Sequence, residues 1–253
     1  MFGVVPKTLW SKHQASDEFN RVEAGFNCFV VDDGNQRVLI ETGGGVRHDA
    51  KSLERMRMQH GVHAHVALAE AGFEPETVDM VINTHLHWDH CGGNTVDSGG
   101  NSVPAFPNAR YVTQRGELMH AREQNPRDAV SYRAANYEPL VETGRLHLLD
   151  GDVDISPVIR VQVMPGHNRD MMVVMVRSGG QTWCHFADLA PYAAHVTPTW
   201  VAAFDLFPLE TIDSKNALFS RAAVEGWRCS FGHDPKIAFA RLAVRDGKFS
   251  IAE

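Results

Sequence analysis

Four metal-binding side chains lie within six residues of the sequence: His85, His87, Asp89 and His90. The first two are two positions apart, so in an extended loop their imidazoles point to the same side. The other two follow closely enough to face a neighbouring position. Imidazole nitrogen and carboxylate oxygen together suit zinc and related divalent ions. Because the set contains no thiolate, the pattern indicates a catalytic metal site with room for water rather than a closed structural site.

The residues around this segment are predicted to hold it at the end of a buried strand. Residues 78–83 are a short β-branched run, typical of such a strand, and they lead directly into the histidines. Gly92 and Gly93 follow, which favours a flexible or sharply turned backbone. We therefore expect the histidines on a loop between a strand and a helix.

The remaining pattern predicts an α/β chain with two sheets. A β-hairpin is expected from residues 25–31 and 37–40, and a helix over residues 52–71 that ends at Gly72. A mostly polar helical region is predicted over residues 117–137, with an interruption at Pro126. A strand is predicted at 110–113, and the strands of a second sheet are predicted at 146–149, 158–163, 171–176 and 182–186. A helix is predicted at 209–225, with an apolar stripe of Ile212, Leu218 and Ala222. Residues 237–251 are predicted to form a helix or strand that leads into a final strand.

Length and composition favour one globular domain over residues 1–253. The net charge of -7, without any Lys/Arg cluster, argues against nucleic acid as a partner. No apolar run is long enough for a signal peptide or a membrane-spanning helix. The four cysteines are widely spaced and form no C-x-x-C pair, which favours reduced thiols. We therefore expect a soluble protein in the cytoplasm that does not bind membranes.

The string His85-x-His87-x-Asp89-His90 after a buried strand resembles the signature of the metallo-β-lactamase superfamily. That family supplies a further His on a Gly-His turn, then an Asp after a strand, then a last His on another turn. This chain has, in the same order, Pro165-Gly166-His167, Phe186-Ala187-Asp188 and Phe231-Gly232-His233. The resemblance covers nearly the whole chain and is greatest to the YtnP-like lactonase branch, beside N-acyl-homoserine lactone lactonases and metal-dependent phosphotriesterases. It implies an α/β fold, a four-layer αβ/βα sandwich of two mixed sheets with helices outside.

The resemblance also implies a site with two divalent metal ions, zinc foremost. Asp188 would bridge the ions, and a hydroxide held between them would attack the carbonyl of a lactone. Asp89 and Asp188 would thus be catalytic as well as ligands. One ion would take His85, His87 and His167, and the other would take Asp89, His90 and His233.

Two positions depart from the family pattern. The more usual Asp-Thr-Gly is Glu41-Thr42-Gly43 here, which alters the support of the metals but removes no ligand. The Tyr found three residues beyond the bridging Asp is Pro191 here, with Tyr192 one place later. Tyr192 and His195 are the candidates for a donor to the oxyanion, and the alternative is that both pack under the loop.

Several other residues have two interpretations each. Trp88 is either a wall of the substrate cavity or core, and for Trp200, Phe204 and Phe207 core is favoured over an acyl-chain wall. Cys91 is interpreted as a small buried filler. His63 and His65 fall in the predicted helix, where their spacing diverges, so they are expected at the surface.

The function expected is hydrolysis of a small-molecule ester or lactone by an N-acyl-homoserine lactone type of quorum-quenching lactonase. A promiscuous arylesterase or phosphotriesterase, or a β-lactamase, could use the same site. An iron-dependent sulfur dioxygenase is a weaker alternative, because no flavin-binding domain follows. A homodimer is left open.

Overall fold

The computed structural model describes residues 1–59 and 64–252. The chain forms two compact units. The continuous unit is Cys28–Leu149, and the discontinuous unit combines Met1–Asn27 with Asp150–Glu253. The single domain over residues 1–253 stays a prediction, and each unit is described by itself.

The helices of the described residues are short except for the last. They are α1 (Lys7–Trp10), α2 (Ala50–Met56), α3 (Ala64–Glu70), α4 (Trp88–Cys91), α5 (Arg115–Glu123), α6 (Glu138–Glu142) and α7 (Pro208–Val224). None of them is long and apolar enough to cross a membrane.

The continuous unit is built on a five-stranded sheet with the order β1-β2-β3-β6-β7. Its strands, together with the separate pair β4 and β5, are β1 (Phe29–Asp32), β2 (Arg37–Ile40), β3 (Met80–Ile82), β4 (Thr95–Ser98), β5 (Asn101–Pro104), β6 (Arg110–Gln114) and β7 (Leu146–Leu149). β1 and β2 form the predicted hairpin, with Asp32 opposite Arg37 at the turn. β2, β3, β6 and β7 run parallel. All three residues of β3 are buried, as expected for a central parallel strand.

Two predictions for this unit were wrong. The helix predicted over residues 52–71 is interrupted, because Arg57 takes a left-handed conformation with φ of 51° and ends α2. His63 lies outside the described residues, and His65 is half-buried in α3. The run at 146–149 belongs to the first sheet rather than the second, since β7 pairs with β6 and places Leu146 opposite Tyr111.

Two predicted helix ends in this unit are confirmed. Gly72 has φ of 85°, and its N–H donates to the carbonyl of Ala69 at 2.9 Å just beyond α3. α5 ends before Pro126, since Gln124 takes a left-handed conformation with φ of 53°. Single-turn 3-10 helices follow instead of a continued α-helix.

The discontinuous unit is built on a seven-stranded sheet with the order β14-β13-β12-β11-β10-β9-β8. Its strands are β8 (Val153–Asp154), β9 (Ile159–Val163), β10 (Met172–Ser178), β11 (Gln181–His185), β12 (Arg228–Ser230), β13 (Phe239–Arg245) and β14 (Lys248–Ala252). Neighbours are antiparallel except β11 and β12, which are parallel. α7 lies between those two strands in the chain, as a parallel crossover requires. Its predicted stripe is confirmed in part: Leu218 and Ala222 are buried in the core with Phe186, whereas Ile212 is half-buried.

Candidate metal centre

Parallel pairing gathers polar residues at one edge of the five-stranded sheet. β2 and β3 end at the paired residues Ile40 and Ile82, so Glu41 and the segment after β3 leave the same edge. The ring centroids of His85 and His87 are 4.6 Å apart, and those of His85 and His90 are 4.0 Å apart. One donor atom from each of Glu41, His85 and His90 lies within 4.8 Å of the others. Three imidazoles and a carboxylate are thus packed together in a buried place.

The short helix α4 sets the direction of the last two side chains. It begins just after His87, whose carbonyl accepts from the N–H groups of His90 and Cys91 at 3.0 Å each. The predicted strand-to-helix loop is confirmed for the first two histidines, whereas Asp89 and His90 lie inside α4. Asp89 is half-buried and the three histidines are buried. The thiol of Cys91 is buried and donates to the carbonyl of Leu86 at 3.2 Å, which confirms its interpretation as a filler.

Glycine is required where this segment passes the loop after β2. A Cβ on Gly92 would lie 2.3 Å from the carbonyl oxygen of Gly44, which is a contact that real side chains do not make. The φ of Gly92 is an ordinary -61°, so space rather than conformation demands glycine here. Of the two predicted alternatives, a flexible or a sharply turned backbone, these contacts favour a turn that is packed closely against the loop after β2.

Glu41 lies closer to the histidines than its sequence position suggested. Its Oε1 is 3.4 Å from Nδ1 of His90 and accepts from the hydroxyl and the N–H of Thr84. The backbone of Glu41 is left-handed, with φ of 63°, a conformation that needs support from its surroundings. In the sequence, the one signal that this residue contacts the histidines was that Glu41 replaces the more usual Asp of the family pattern.

The seven-stranded sheet carries the other three candidate ligands at one edge. β11 and β12 are parallel and end at the pair His185 and Ser230, so Asp188 and His233 follow at the same edge. β9 runs in the direction of β11, since both are antiparallel to β10, and it leads into His167. The two carboxylate oxygens of Asp188 divide between the histidines. Oδ2 lies 3.5 Å from Nε2 of His167 and Oδ1 lies 3.1 Å from Nε2 of His233.

The far nitrogens of these two histidines are fixed by other groups. Nδ1 of His233 lies 2.9 Å from the carbonyl oxygen of Gly25, and a carbonyl can only accept, so Nδ1 carries the proton. Nδ1 of His167 lies 3.0 Å from Oδ1 of Asp205, whose other oxygen accepts from the hydroxyl of Thr211 at 2.8 Å. Asp205 was missed in the sequence because it lies far along the chain from His167 and belongs to no motif.

This arrangement fits a metal ion. With Nδ1 protonated, each Nε2 presents a lone pair towards an oxygen of Asp188, which also presents lone pairs. Such atoms repel each other unless a proton or a metal cation lies between them. Histidines whose second nitrogen donates to a carboxylate or a carbonyl are typical metal ligands. The donor set of nitrogen and oxygen atoms suits zinc and its neighbours.

The two candidate oxyanion donors have packing partners in the interior of the discontinuous unit. The hydroxyl of Tyr192 donates to the carbonyl of Glu23 at 2.9 Å. The ring of His195 is buried and stacks on Phe2, with centroids 4.8 Å apart. Burial, and then the nearby Lys215 ammonium, lower the pKa of His195 well below its usual range. Their role as donors stays a prediction.

The aromatic residues with two interpretations are all half-buried: Trp88, Trp200, Phe204 and Phe207. Phe204 lies edge-on to His167, with ring centroids 5.4 Å apart. Arg169 covers the ring of Phe207 at 4.3 Å. Trp88 is covered by Arg133 at 5.0 Å. Their interpretation as cavity wall or core stays a prediction.

Comparison with known protein families identifies the class of protein that carries these two groups of candidate ligands. Residues 25–233 match the metallo-beta-lactamase superfamily, so the chain belongs to that superfamily. Its mixed α/β architecture is the metallo-beta-lactamase fold, and the protein is a metal-dependent hydrolase.

Similar proteins fall in the same class. An N-acyl homoserine lactonase of Bacillus cereus is 22% identical over 190 residues, which are 66% of this chain and 68% of that protein. An N-acyl homoserine lactonase of Bacillus thuringiensis is 29% identical over 155 residues, which are 56% of this chain. The match covers 54% of that relative, so it spans about half of the relative's length. A crystal structure of a probable metal-dependent hydrolase from Staphylococcus aureus has a TM-score of 0.90 at 27% identity and covers 100% of this chain and 91% of that one.

Proposed function

We propose that this protein is a dinuclear metal hydrolase that opens lactone rings, of the N-acyl-homoserine lactone type. The observation that supports it most is Asp188, whose two oxygens face two different histidines. A carboxylate used in this way is suited to bridging two ions. The curated relatives are lactonases at 22% and 29% identity, which supports the choice of substrate.

The ligand assignment is part of the proposal. One ion would be held by His85, His87 and His167, the other by Asp89, His90 and His233, and Asp188 would bridge them. Zinc is proposed because the donors are nitrogen and oxygen without thiolate. When bound, two such ions supply Lewis-acid polarisation of a carbonyl and activation of water near neutral pH.

The residues of the chain orient and shield this chemistry. Asp205 and the carbonyl of Gly25 hold His167 and His233 in the tautomer that presents Nε2. Burial of the histidines keeps water from competing for their nitrogens. The half-buried Asp89 and Trp88 form the part of the segment that a small-molecule substrate can reach. A reducing cytoplasm is proposed as the location, since all four cysteines are free. A homodimer stays a prediction.

Metal analysis tests the dinuclear centre. The purified protein is expected to hold two divalent ions per chain after loading with zinc or cobalt. Asp188→Asn preserves shape but weakens the bridge, so it should lower both metal content and turnover, whereas the control Cys91→Ala should leave metal content unchanged. Full activity at one ion per chain, or equal effects of the two substitutions, would contradict the dinuclear proposal.

A substrate panel tests the lactonase. Zinc-loaded protein is given acyl-homoserine lactones of several chain lengths, an aryl ester, a paraoxon-type triester and a chromogenic β-lactam. The acid released from lactones is followed with a pH indicator. We expect the highest kcat/KM for a lactone. A preference of tenfold or more for the triester, about 1.4 kcal/mol of transition-state binding, would favour a phosphotriesterase instead.

A further inference from the structure

Arg133 is placed beside the accessible part of the metal-binding segment. The residue before it, Tyr132, forms an antiparallel bridge with His87, and their rings lie 4.6 Å apart. The guanidinium of Arg133 lies over the ring of Trp88, 5.0 Å from its centroid. Arg133 and Trp88 are both half-buried, like Asp89. The cation is therefore fixed at the open side of this segment.

One nitrogen of Arg133 is used to hold it there. Nη1 donates to the carbonyl of Arg47 at 2.6 Å and lies 3.1 Å from Nδ1 of His48. Nε2 of His48 lies 2.8 Å from the carbonyl of Gly44, so Nε2 carries the proton and Nδ1 accepts from Arg133. The ring of His48 also meets Trp88 edge-on, with centroids 5.0 Å apart. The guanidinium is thus preorganised by a carbonyl, an imidazole and an indole.

The opposite edge of the guanidinium, formed by Nε and Nη2, makes no hydrogen bond to protein among residues 1–59 and 64–252. The carboxylates of Asp49 and Asp89 interact with its charge only through space. Other arginines of this chain show what this edge binds. Arg122 uses Nε and Nη2 to hold the two oxygens of Glu138 at 2.7 and 2.6 Å. Arg47 directs the same two nitrogens to Oδ1 of Asp97 at 3.0 and 2.8 Å. Two parallel N–H donors match a carboxylate in geometry and charge.

We propose that Arg133 is a specificity-determining residue that binds a carboxylate carried by the substrate, so that the preferred substrate is a lactone or ester with a separate acidic group. The proposal rests on the proposed hydrolase function for the position of the reacting ester. A neutral acyl chain would offer the Nε and Nη2 edge no charged acceptor. The indole of Trp88 supports the charge while the acceptor is absent, since a cation is attracted to the face of an aromatic ring.

Matched substrates test this inference. N-succinyl and N-butanoyl homoserine lactone have acyl chains of equal length that end in a carboxylate and a methyl group. The parent is expected to prefer the succinyl lactone at least tenfold in kcat/KM, and Arg133→Met is expected to lose that preference. Arg133→Lys keeps the charge but not the two parallel donors, so its preference should fall at least threefold. The ratio of the two substrates cancels any loss of folded protein.

The control is Arg122→Met, which removes an exposed arginine of the same unit and should leave the ratio unchanged. Calorimetric titration of the zinc-loaded proteins with succinate gives a readout without turnover. The parent should bind succinate at least tenfold more tightly than Arg133→Met of equal metal content. If no lactone is hydrolysed but this difference is found, the lactonase proposal fails and the inference stands. An equal ratio and equal succinate affinity in parent and variant would overturn the inference.

Discussion

Asp205 fixes the tautomer of a candidate ligand without belonging to any motif. Because it accepts from Nδ1 of His167, Nε2 of that histidine is left as the metal donor. Substituting such a partner typically costs about tenfold to a hundredfold in metal affinity or activity. We predict that Asp205→Asn weakens metal binding in that range, measured by competition with a chelator dye.

The matched control for Asp205→Asn is Asp154→Asn. Asp154 is an exposed carboxylate in the same unit, paired with Arg160 at 2.9 Å. Its substitution should leave metal affinity unchanged. Equal affinities in the parent and in Asp205→Asn would show that His167 is oriented by its packing alone.

Lys215 is a buried residue on α7, and its pKa is lower than is usual for a lysine. Burial lowers its pKa to about 7, and the nearby Asp205 partly opposes this shift. Its ammonium donates to the carbonyl of Trp200 at 2.7 Å. Between about pH 7 and 10.5 the unfolded chain binds this proton while the folded chain has released it, so the free energy of unfolding rises with pH across that window.

Lys215→Met should remove this rise. We predict that the free energy of unfolding of the parent, relative to the variant, increases between pH 7 and pH 9.5 by up to about 1.4 kcal/mol per pH unit. Urea denaturation at several pH values measures it. Lys248→Met, at an exposed position of β14, is the control and should follow the parent. Parallel curves for the parent and Lys215→Met would refute the depressed pKa.

At the scale of elements, the approach of α4 to the loop after β2 depends on three glycines that have no room for a Cβ: Gly45, Gly92 and Gly93. Gly92→Ala would bring a methyl group onto the carbonyl of Gly44, so the backbone must move. Gly179→Ala is the useful contrast, because Gly179 has φ of 55° and open space around it, and it should cost only the left-handed strain of about 1–2 kcal/mol. We predict that Gly92→Ala loses more unfolding free energy in urea and also weakens metal binding. A smaller loss than that of Gly179→Ala would contradict the close packing.

The helices, strands and turns that can be predicted from the sequence are those determined by residues close together in the chain. The buried run of β3, the hairpin turn and the glycine after α3 each show their structure in a few neighbouring residues. The partner of β7 was mispredicted because strand propensity does not encode which strand lies beside it. The break of the predicted helix falls at Arg57, a residue type that does not itself signal a helix end. Glu41 and Asp205 approach the histidines through tertiary contacts, which spacing alone does not report.

At the scale of the whole molecule, the proposed ions couple stability to metal supply. Ligands bound only by the folded state stabilise it by about 2.7 kcal/mol when present at a hundred times their Kd. For a chain of this size that corresponds to roughly 5 °C or more in Tm. We predict that EDTA lowers the Tm of the loaded protein by at least this amount, and that the decrease is smaller in Asp188→Asn. Differential scanning calorimetry measures both, and a Tm unaffected by EDTA in the loaded parent would contradict structural coupling.

The segment before β1, residues 25–27, affects when the turn that bears His233 can form during protein synthesis. Gly25 exchanges hydrogen bonds with His233, and the side chain of Asn27 donates to the carbonyls of Phe231 and Asp234. The segment is synthesised about two hundred residues before its partners, so these hydrogen bonds form only once those partners have been made. The turn bearing His233 can therefore reach its final geometry only after the ribosome has synthesised the chain past Asp234.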